Sequence, residues 1–256
     1  MLNILATIDL EAVVNIARDA GNAIMINYRP GNEDEVVVKE DKSLVTMADL
    51  MADKFITAQL KMLYPDIPVI SEEGEKVPYE IRAAWKTFWL VDPLDGTREY
   101  LSKNGEFTVN IALIIDQRPA LGVIYAPAFN QMFYGSLLHG AFKQTGGYLP
   151  QQIVTKAHSR KMVAVHSRSH SSPQEEKVLQ ALGAKDRLQI GSSLKFCLVA
   201  DGTASLYYRH RPTMEWDTAA GQALVEAAGG SVTTPNRKPL QYNKQSLRNS
   251  SFLCMA

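Results

Sequence analysis

The stretch Trp89-Leu90-Val91-Asp92-Pro93-Leu94-Asp95-Gly96-Thr97 decides how this chain is read. Phe88 to Val91 is an apolar run of strand length that ends on a carboxylate. Pro93 locks its own φ and pushes Asp92 toward extended geometry. Two carboxylates three residues apart on a tight bend point into one space, where they repel unless a cation or proton intervenes. Oxygen-only ligands of this kind favour a hard cation such as magnesium. Gly96 lets a ligand approach the backbone closely. Thr97 is expected to open a helix over 97–101, where free amides and the dipole attract phosphate, and its hydroxyl is suited to orienting a water. Asp-Pro and Asp-Gly are each ordinary turn dipeptides; only the full string behind a buried strand points to a site.

Three further acidic segments accompany it. Ser71-Glu72-Glu73-Gly74-Glu75 follows the short strand Val69-Ile70, and Glu72 is the acid expected to share the strand-end space with Asp92. By itself such a run is more often a solvated turn. Glu215-Trp216-Asp217-Thr218-Ala219-Ala220-Gly221 opens a helix whose small residues permit close packing. Asp217 in its first turn is explained either by the helix dipole or by a metal. Thr46-Met47-Ala48-Asp49 has capping-box spacing with Asp in place of Glu, so Asp49 is a helix-start residue, a site carboxylate, or both. Spacing alone brings neither Asp49 nor Asp217 to Asp92.

The rest of the chain bounds the class. Its 256 residues, 46% of them hydrophobic, suffice for one large domain or two small ones. Basic and acidic residues number 27 each, which argues against a nucleic-acid-binding surface or a basic membrane anchor. No apolar run is long enough to span a bilayer, and the N-terminal residues lack a signal-peptide pattern. Cys197 and Cys254 are expected to be buried, reduced thiols rather than a disulfide or a zinc site. His139, His158, His166 and His210 show no metal-ligand spacing.

Helical periodicity covers 10–24, with Tyr28-Arg29-Pro30-Gly31 ending it, and a second helix runs from Thr46 to Tyr64-Pro65. A strand is expected at 36–38. Residues 106–155 read as an antiparallel meander with strands at 107–115, 120–125, 131–136 and 140–143. Beyond 160, strands at 162–166, 187–190, 204–208, 231–234 and 252–255 alternate with helices at 173–182, 192–199 and 213–228. This pattern suggests an N-terminal α+β domain, 1–155, holding the metal site and antiparallel sheet. An α/β domain, 156–256, would hold the substrate-recognition elements.

Val45-Thr46 with Asp49, Ser71-Glu72-Glu73, Asp92 to Thr97 and Trp216 to Gly221 occur in the order found in the inositol monophosphatase superfamily. The resemblance spans nearly the whole chain and implies the layered αβαβα sugar-phosphatase fold. Within the superfamily, Asn104-Gly105-Glu106-Phe107-Thr108-Val109-Asn110-Ile111-Ala112-Leu113 and Gly191-Ser192-Ser193-Leu194-Lys195-Phe196-Cys197-Leu198-Val199-Ala200 resemble the bacterial 3′(2′),5′-bisphosphate nucleotidases. That resemblance implies hydrolysis of adenosine 3′,5′-bisphosphate to AMP and phosphate, in sulfur assimilation or nucleotide recycling. It also implies two or three Mg2+ ions and inhibition by Li+. Carried over, Glu72, Asp92, Asp95 and Asp217 resemble metal-binding carboxylates, and Leu94 the donor of a backbone carbonyl. Asp49 and Thr97 resemble the pair that positions and activates water. Substrate contacts implied are Glu72, Leu94, Asp95, Gly96, Thr97, Asp217, His170, Ser192, Lys195 and Arg209. From spacing alone, Ser192 and Lys195 lie one turn apart at an expected helix start and can share a face. Each of these four recognition residues also has an ordinary reading: a surface Lys, a strand-end Arg, a loop His, a capping Ser.

Two alternatives stand beside this reading. One is an inositol phosphate or fructose 1,6-bisphosphate phosphatase using the same metal site. The other is a non-catalytic nucleotide-binding regulator that retains the fold. The expected partner is a small nucleotide bisphosphate, with no nucleic acid and no integral membrane segment. The expected location is the cytoplasm, with peripheral attachment to the cytoplasmic face of the inner membrane left open.

Overall fold

The strand Thr87–Asp95 shows why the apolar run lacks alternation: both of its faces are buried. Trp89 and Val91 enter one core, while Phe88 and Leu90 enter another. The structure, a computed structural model, describes residues 2–29, 36–38, 44–156, 162–168 and 172–256.

This strand belongs to a seven-stranded sheet whose spatial order follows the chain: Val69–Ser71, Thr87–Asp95, Thr108–Ile115, Arg118–Ala126, Gln131–Ser136, Gly140–Thr145 and Gln151–Ile153. The first pair is parallel and the others are antiparallel, so the expected meander forms. Helices Leu10–Asn27 and Met47–Leu63 cover one face with Val13, Ala17, Ile24, Ile56 and Leu60. Helices Leu194–Ala200 and Trp216–Ala227 cover the other face.

Those two helices also pack on a five-stranded sheet ordered Asp186–Ile190, Val163–Ser167, Leu206–Arg209, Phe252–Met255, Ser231–Thr233. Its first three strands are parallel, and the last two add antiparallel. Its outer face, with Ala164, Leu206 and Leu253, is covered by the helix Pro173–Ala181 through Leu179. The result is five layers, αβαβα, as the resemblance implies.

The small residues of Trp216–Ala227 serve that middle layer. A Cβ on Gly122 would lie 2.3 Å from the Ala220 carbonyl oxygen, and one on Gly221 would lie 2.3 Å from Phe196. Close approach of helix to sheet therefore requires glycine at both places. Cys197 and Cys254 are buried and unpaired. No helix among the described residues is long and apolar enough to cross a membrane.

Three expectations change in detail. The strand at 88–91 does not stop in a tight bend; it continues through Asp95, with a bulge between Asp92 and Asp95. The helix expected over 213–228 begins at Trp216, because Thr213–Met214 pairs with Arg248–Asn249, a strand with no apolar signature. The helix expected over 192–199 begins at Leu194, because Ser192 has φ 46°. Ser192 therefore does not share a helical face with Lys195.

Candidate active site

Each acidic residue reaches the site by a separate local device. The bulge in Thr87–Asp95 replaces a regular alternation, so Asp92 and Asp95 both line one cleft of about 290 Å3. Val69–Ser71 pairs in parallel with Ser71 opposite Val91, and the Glu72 amide donates to the Val91 carbonyl at 3.1 Å. That register sets Glu72, not Glu73, beside Asp92. Asp217 occupies the first turn of Trp216–Ala227, where Oδ2 accepts from the Met214 amide at 2.7 Å. Carboxylate oxygens of Glu72, Asp92 and Asp217 lie within 4.8 Å of one another.

Asp49 caps its helix and faces the site as well. Its Oδ2 accepts from the Thr46 amide at 2.8 Å and the Thr46 hydroxyl at 2.5 Å, closing the capping box. Its Oδ1 accepts from the Thr97 hydroxyl at 3.3 Å. Gly96 precedes the helix Thr97–Leu101 with φ 95°, a conformation that favours glycine. Leu94, Gly96 and Thr97 all line the cleft.

The electrostatics follow from burial and mutual repulsion. Asp92 is 1% exposed, and its carboxyl is pushed well above the usual range by desolvation, then by Glu72, Asp95, Asp217 and Asp49. Burial raises Asp217 to about 7, with Asp95 adding to the shift and the Met214 amide opposing it. Asp95 is raised by burial, against the pull of the Lys195 charge and the Ser193 amide. Asp49 is raised by burial, against its Thr46 hydrogen bonds. So many carboxylates cannot all ionise together without a cation. Among the described residues, buried Asp92 Oδ1 has no hydrogen-bond partner. An oxygen-only donor set with an unmatched buried carboxylate oxygen fits a hard divalent cation.

A second wall of the cleft is cationic. Lys195, 5% exposed, and Arg209 at the end of Leu206–Arg209 both line the cleft. Burial lowers Lys195 to about 8, while Asp95 pulls it back up. Lys195 Nζ donates to the Ser192 carbonyl. The Ser192 hydroxyl is buried with no partner among the described residues. His170, like His158, lies outside the described residues.

Two contributors escaped the reading of the chain. The Ser193 amide donates to Asp95 Oδ2 at 2.6 Å, and its hydroxyl donates to Asn110 Oδ1 at 2.7 Å. Its neighbour Ser192 drew attention only through resemblance, and a backbone donor carries no side-chain signal. Glu215, fully buried, accepts from the Asn243 amide at 2.7 Å and from Lys244 Nζ at 2.5 Å, anchoring the start of the Asp217 helix. A buried acid at a helix start is indistinguishable in sequence from a surface cap.

A five-layered αβαβα fold with a convergent oxygen-donor cluster where its seven-stranded sheet meets the middle helices defines the sugar-phosphatase class. The profile of the inositol monophosphatase family matches residues 8–253, and the chain belongs to this family. The family is metal-dependent, and the acidic cluster here can hold a metal. The chain is 48% identical over 244 residues to the 3′(2′),5′-bisphosphate nucleotidase CysQ of Escherichia coli K12, covering 95% of this chain and 98% of that protein. The crystal structure of CysQ from Bacteroides thetaiotaomicron, a bacterial member of the same family, matches with a TM-score of 0.86 at 38% identity, covering 96% of each chain. An IMPase from Thermotoga maritima matches with a TM-score of 0.76 at 27% identity, covering 94% of this chain and 89% of that one.

Proposed function

We propose that this protein is a magnesium-dependent 3′(2′),5′-bisphosphate nucleotidase that converts adenosine 3′,5′-bisphosphate to AMP and phosphate. The observation that carries the reading is a single cleft with an oxygen-donor cluster on one wall and two buried cations, Lys195 and Arg209, on the other. A substrate with two phosphates satisfies both walls. An inositol monophosphate brings only one phosphate to a cleft that offers both features. The similarity to the CysQ nucleotidases supports the same choice.

Glu72, Asp92, Asp95, Asp217 and the Leu94 carbonyl would hold two or three Mg2+ ions. Bound there, magnesium neutralises phosphoryl oxygens, lowers the pKa of water and stabilises the departing alkoxide. The Thr97 hydroxyl donates to Asp49, so Thr97 Oγ1 turns its lone pairs toward the attacking water and orients it. The Asp49 carboxylate, fixed by Thr46, keeps that hydroxyl aligned. The water oxygen forms a bond to phosphorus as its proton passes to Thr97 Oγ1 and the Thr97 hydroxyl proton passes to Asp49, the bond from phosphorus to the ribose 3′ oxygen breaks, and solvent protonates the departing oxygen. Gly96 and Thr97 amides hold the transferred phosphate. Ser192, Lys195 and Arg209 hold the second phosphate, and His170, outside the described residues, is a further substrate contact in this reading. Residues 1–155 act as the unit that carries most of the metal ligands, and 156–256 as the recognition unit. The enzyme works in the cytoplasm, and Li+ inhibits it.

The test is phosphate release from adenosine 3′,5′-bisphosphate and from inositol 1-phosphate, with and without Mg2+ and Li+. The expected result is magnesium-dependent, lithium-inhibited turnover that prefers the bisphosphate. Preference for the inositol ester would overturn the substrate, and absence of any magnesium-dependent release would overturn the reaction.

A further inference from the structure

Glu106 lies between the helix Thr97–Leu101 and the strand Thr108–Ile115, yet its carboxylate reaches across to the C-terminal sheet. Oε2 accepts from the Gly191 amide at 2.7 Å and from Arg168 Nε at 2.7 Å. Oε1 accepts from Arg168 Nη2 at 2.6 Å. This is a bidentate pair, the geometry in which a guanidinium and a carboxylate fix each other's orientation. Arg168 directly follows the strand Val163–Ser167 and also donates to the Gln189 carbonyl at 3.3 Å, on the neighbouring parallel strand. One acid thus ties together the ends of two parallel strands and the turn that leaves the second. The Glu106 side chain is 12% exposed and that of Arg168 41%, so the acid is sheltered and its partner is accessible.

The turn held by Glu106 is the one that feeds the cationic wall. Its next residue, Ser192, has φ 46°, lines the cleft and gives its carbonyl to Lys195 Nζ. A left-handed backbone at a residue with a side chain is strained and persists only where its surroundings hold it. The backbone is crowded there too. A Cβ on Gly191 would lie 2.8 Å from the Glu106 carbonyl oxygen, and one on Gly96 would lie 3.1 Å from the same atom. Ser193, one residue further on, has anchors of its own: its hydroxyl donates to Asn110 and meets the Thr108 hydroxyl, both at 2.7 Å. Asp95, which accepts from the Ser193 amide, is therefore secured independently. Gly191 and Ser192 depend on Glu106.

We infer that Glu106 is a positioning residue for the second phosphate: through Gly191 and Arg168 it fixes the Ser192 turn, and through the Ser192 carbonyl it places Lys195. The inference rests on the bisphosphate reading above. It separates substrate binding from chemistry, because the metal-side contacts do not pass through Glu106.

The test compares kinetics of Glu106→Ala, Glu106→Gln and Arg168→Ala on adenosine 3′,5′-bisphosphate and on adenosine 3′-monophosphate, with melting temperatures for each. For Glu106→Ala the KM for the bisphosphate should rise about tenfold, the scale of one lost charge-assisted hydrogen bond, with kcat changed less than about threefold. The KM for the monophosphate should change less than about twofold, since it lacks the phosphate that the turn serves. Glu106→Gln, which keeps an acceptor for the Gly191 amide, should recover part of the loss. Arg168→Ala, at an accessible position that carries little folding risk, should raise the bisphosphate KM by about threefold, as expected for half of the clamp. Arg118→Ala is the matched control, because the Arg118–Glu226 pair also joins the two halves, at 3.1 Å, outside the cleft. A wild-type KM for the bisphosphate in Glu106→Ala and Arg168→Ala would overturn the inference. So would equal losses on both nucleotides, or losses that follow melting temperature and recur in Arg118→Ala. A wild-type enzyme indifferent to the second phosphate would instead overturn the bisphosphate reading. The inference would then fall with it, a failure read from the wild-type enzyme alone and so distinct from failure of the Glu106 variants.

Discussion

The two walls of the cleft are built in opposite ways. On the carboxylate wall, Asp92, Leu94, Asp95, Gly96 and Thr97 come from one continuous segment, shaped by Pro93, a bulge and the positive φ of Gly96. On the cationic wall, Ser192 comes from a strained turn, Lys195 from a helix start and Arg209 from a strand end. No local rule links those three. The difference teaches that the centre of the carboxylate wall is written locally, with Glu72 and Asp217 joining it from other elements, whereas the choice of ester is written wholly in the packing of one sheet against another. The walls should therefore fail differently when changed.

The largest effect is expected on the carboxylate wall. Asp95→Asn should lower kcat by roughly 10²–10³-fold for every phosphomonoester tested, as for loss of a principal electrostatic element. Its circular dichroism should match the wild type, and its metal-free melting temperature should not fall, because one buried repulsive charge is gone. Near-normal turnover by the folded variant would dissolve the distinction between the walls.

On the cationic wall, Arg209→Met should lower kcat/KM for adenosine 3′,5′-bisphosphate by about 10- to 100-fold, the range for hydrogen bonds to charged groups. The effect on a nucleoside monophosphate should stay below about threefold. Equal losses on both substrates would make Arg209 a general structural residue.

A third variant strikes the contact that joins the walls. Gly122→Ala forces a methyl toward the Ala220 carbonyl and so pushes the Asp217 helix away from the sheet that carries Asp92. Overpacking of this kind should lower the melting temperature by roughly 3–10 °C. Magnesium titration by calorimetry should show weaker binding in the same variant. Unchanged stability would mean that the two layers have room to separate.

The smallest effect concerns pH. In the metal-free protein Asp92, Asp95 and Asp217 titrate above their unfolded values, Asp217 near 7. The folded state then holds more protons than the unfolded state, so their contribution is fully present below about pH 4 and is lost as pH rises through the raised folded values, about 7 for Asp217. Magnesium replaces those protons, and its stabilisation should be larger by a few degrees at pH 8 than at pH 5.5. Thermal melts with and without Mg2+ at the two pH values check this. An equal shift at both would remove the cluster from the linkage.

Much of the layered fold was legible because burial leaves a period. The helices at 10–27 and 47–63 and the meander after 108 followed from spacing alone. Some missed elements had no apolar pattern to reveal them, as with Thr213–Met214 against Arg248–Asn249. The Asp92–Thr97 string pointed to a carboxylate site because its constraints act within a few bonds. Asp49 and Asp217 each had an adequate local explanation as helix-start residues, and the structure keeps that role while also turning both toward the cleft.

The sequence by itself determined the donor chemistry at 92–97 and the glycines that permit a closely packed middle layer. Proline, glycine and alternating apolar residues act on backbone and neighbours a few residues away. Only the tertiary structure decided that Glu72 rather than Glu73 joins Asp92, that Ser192 adopts a left-handed turn, and that Glu106 clasps Gly191 and Arg168. Those outcomes depend on strand register and on the meeting of two sheets, and hydrogen bonds between distant segments leave no period in the chain.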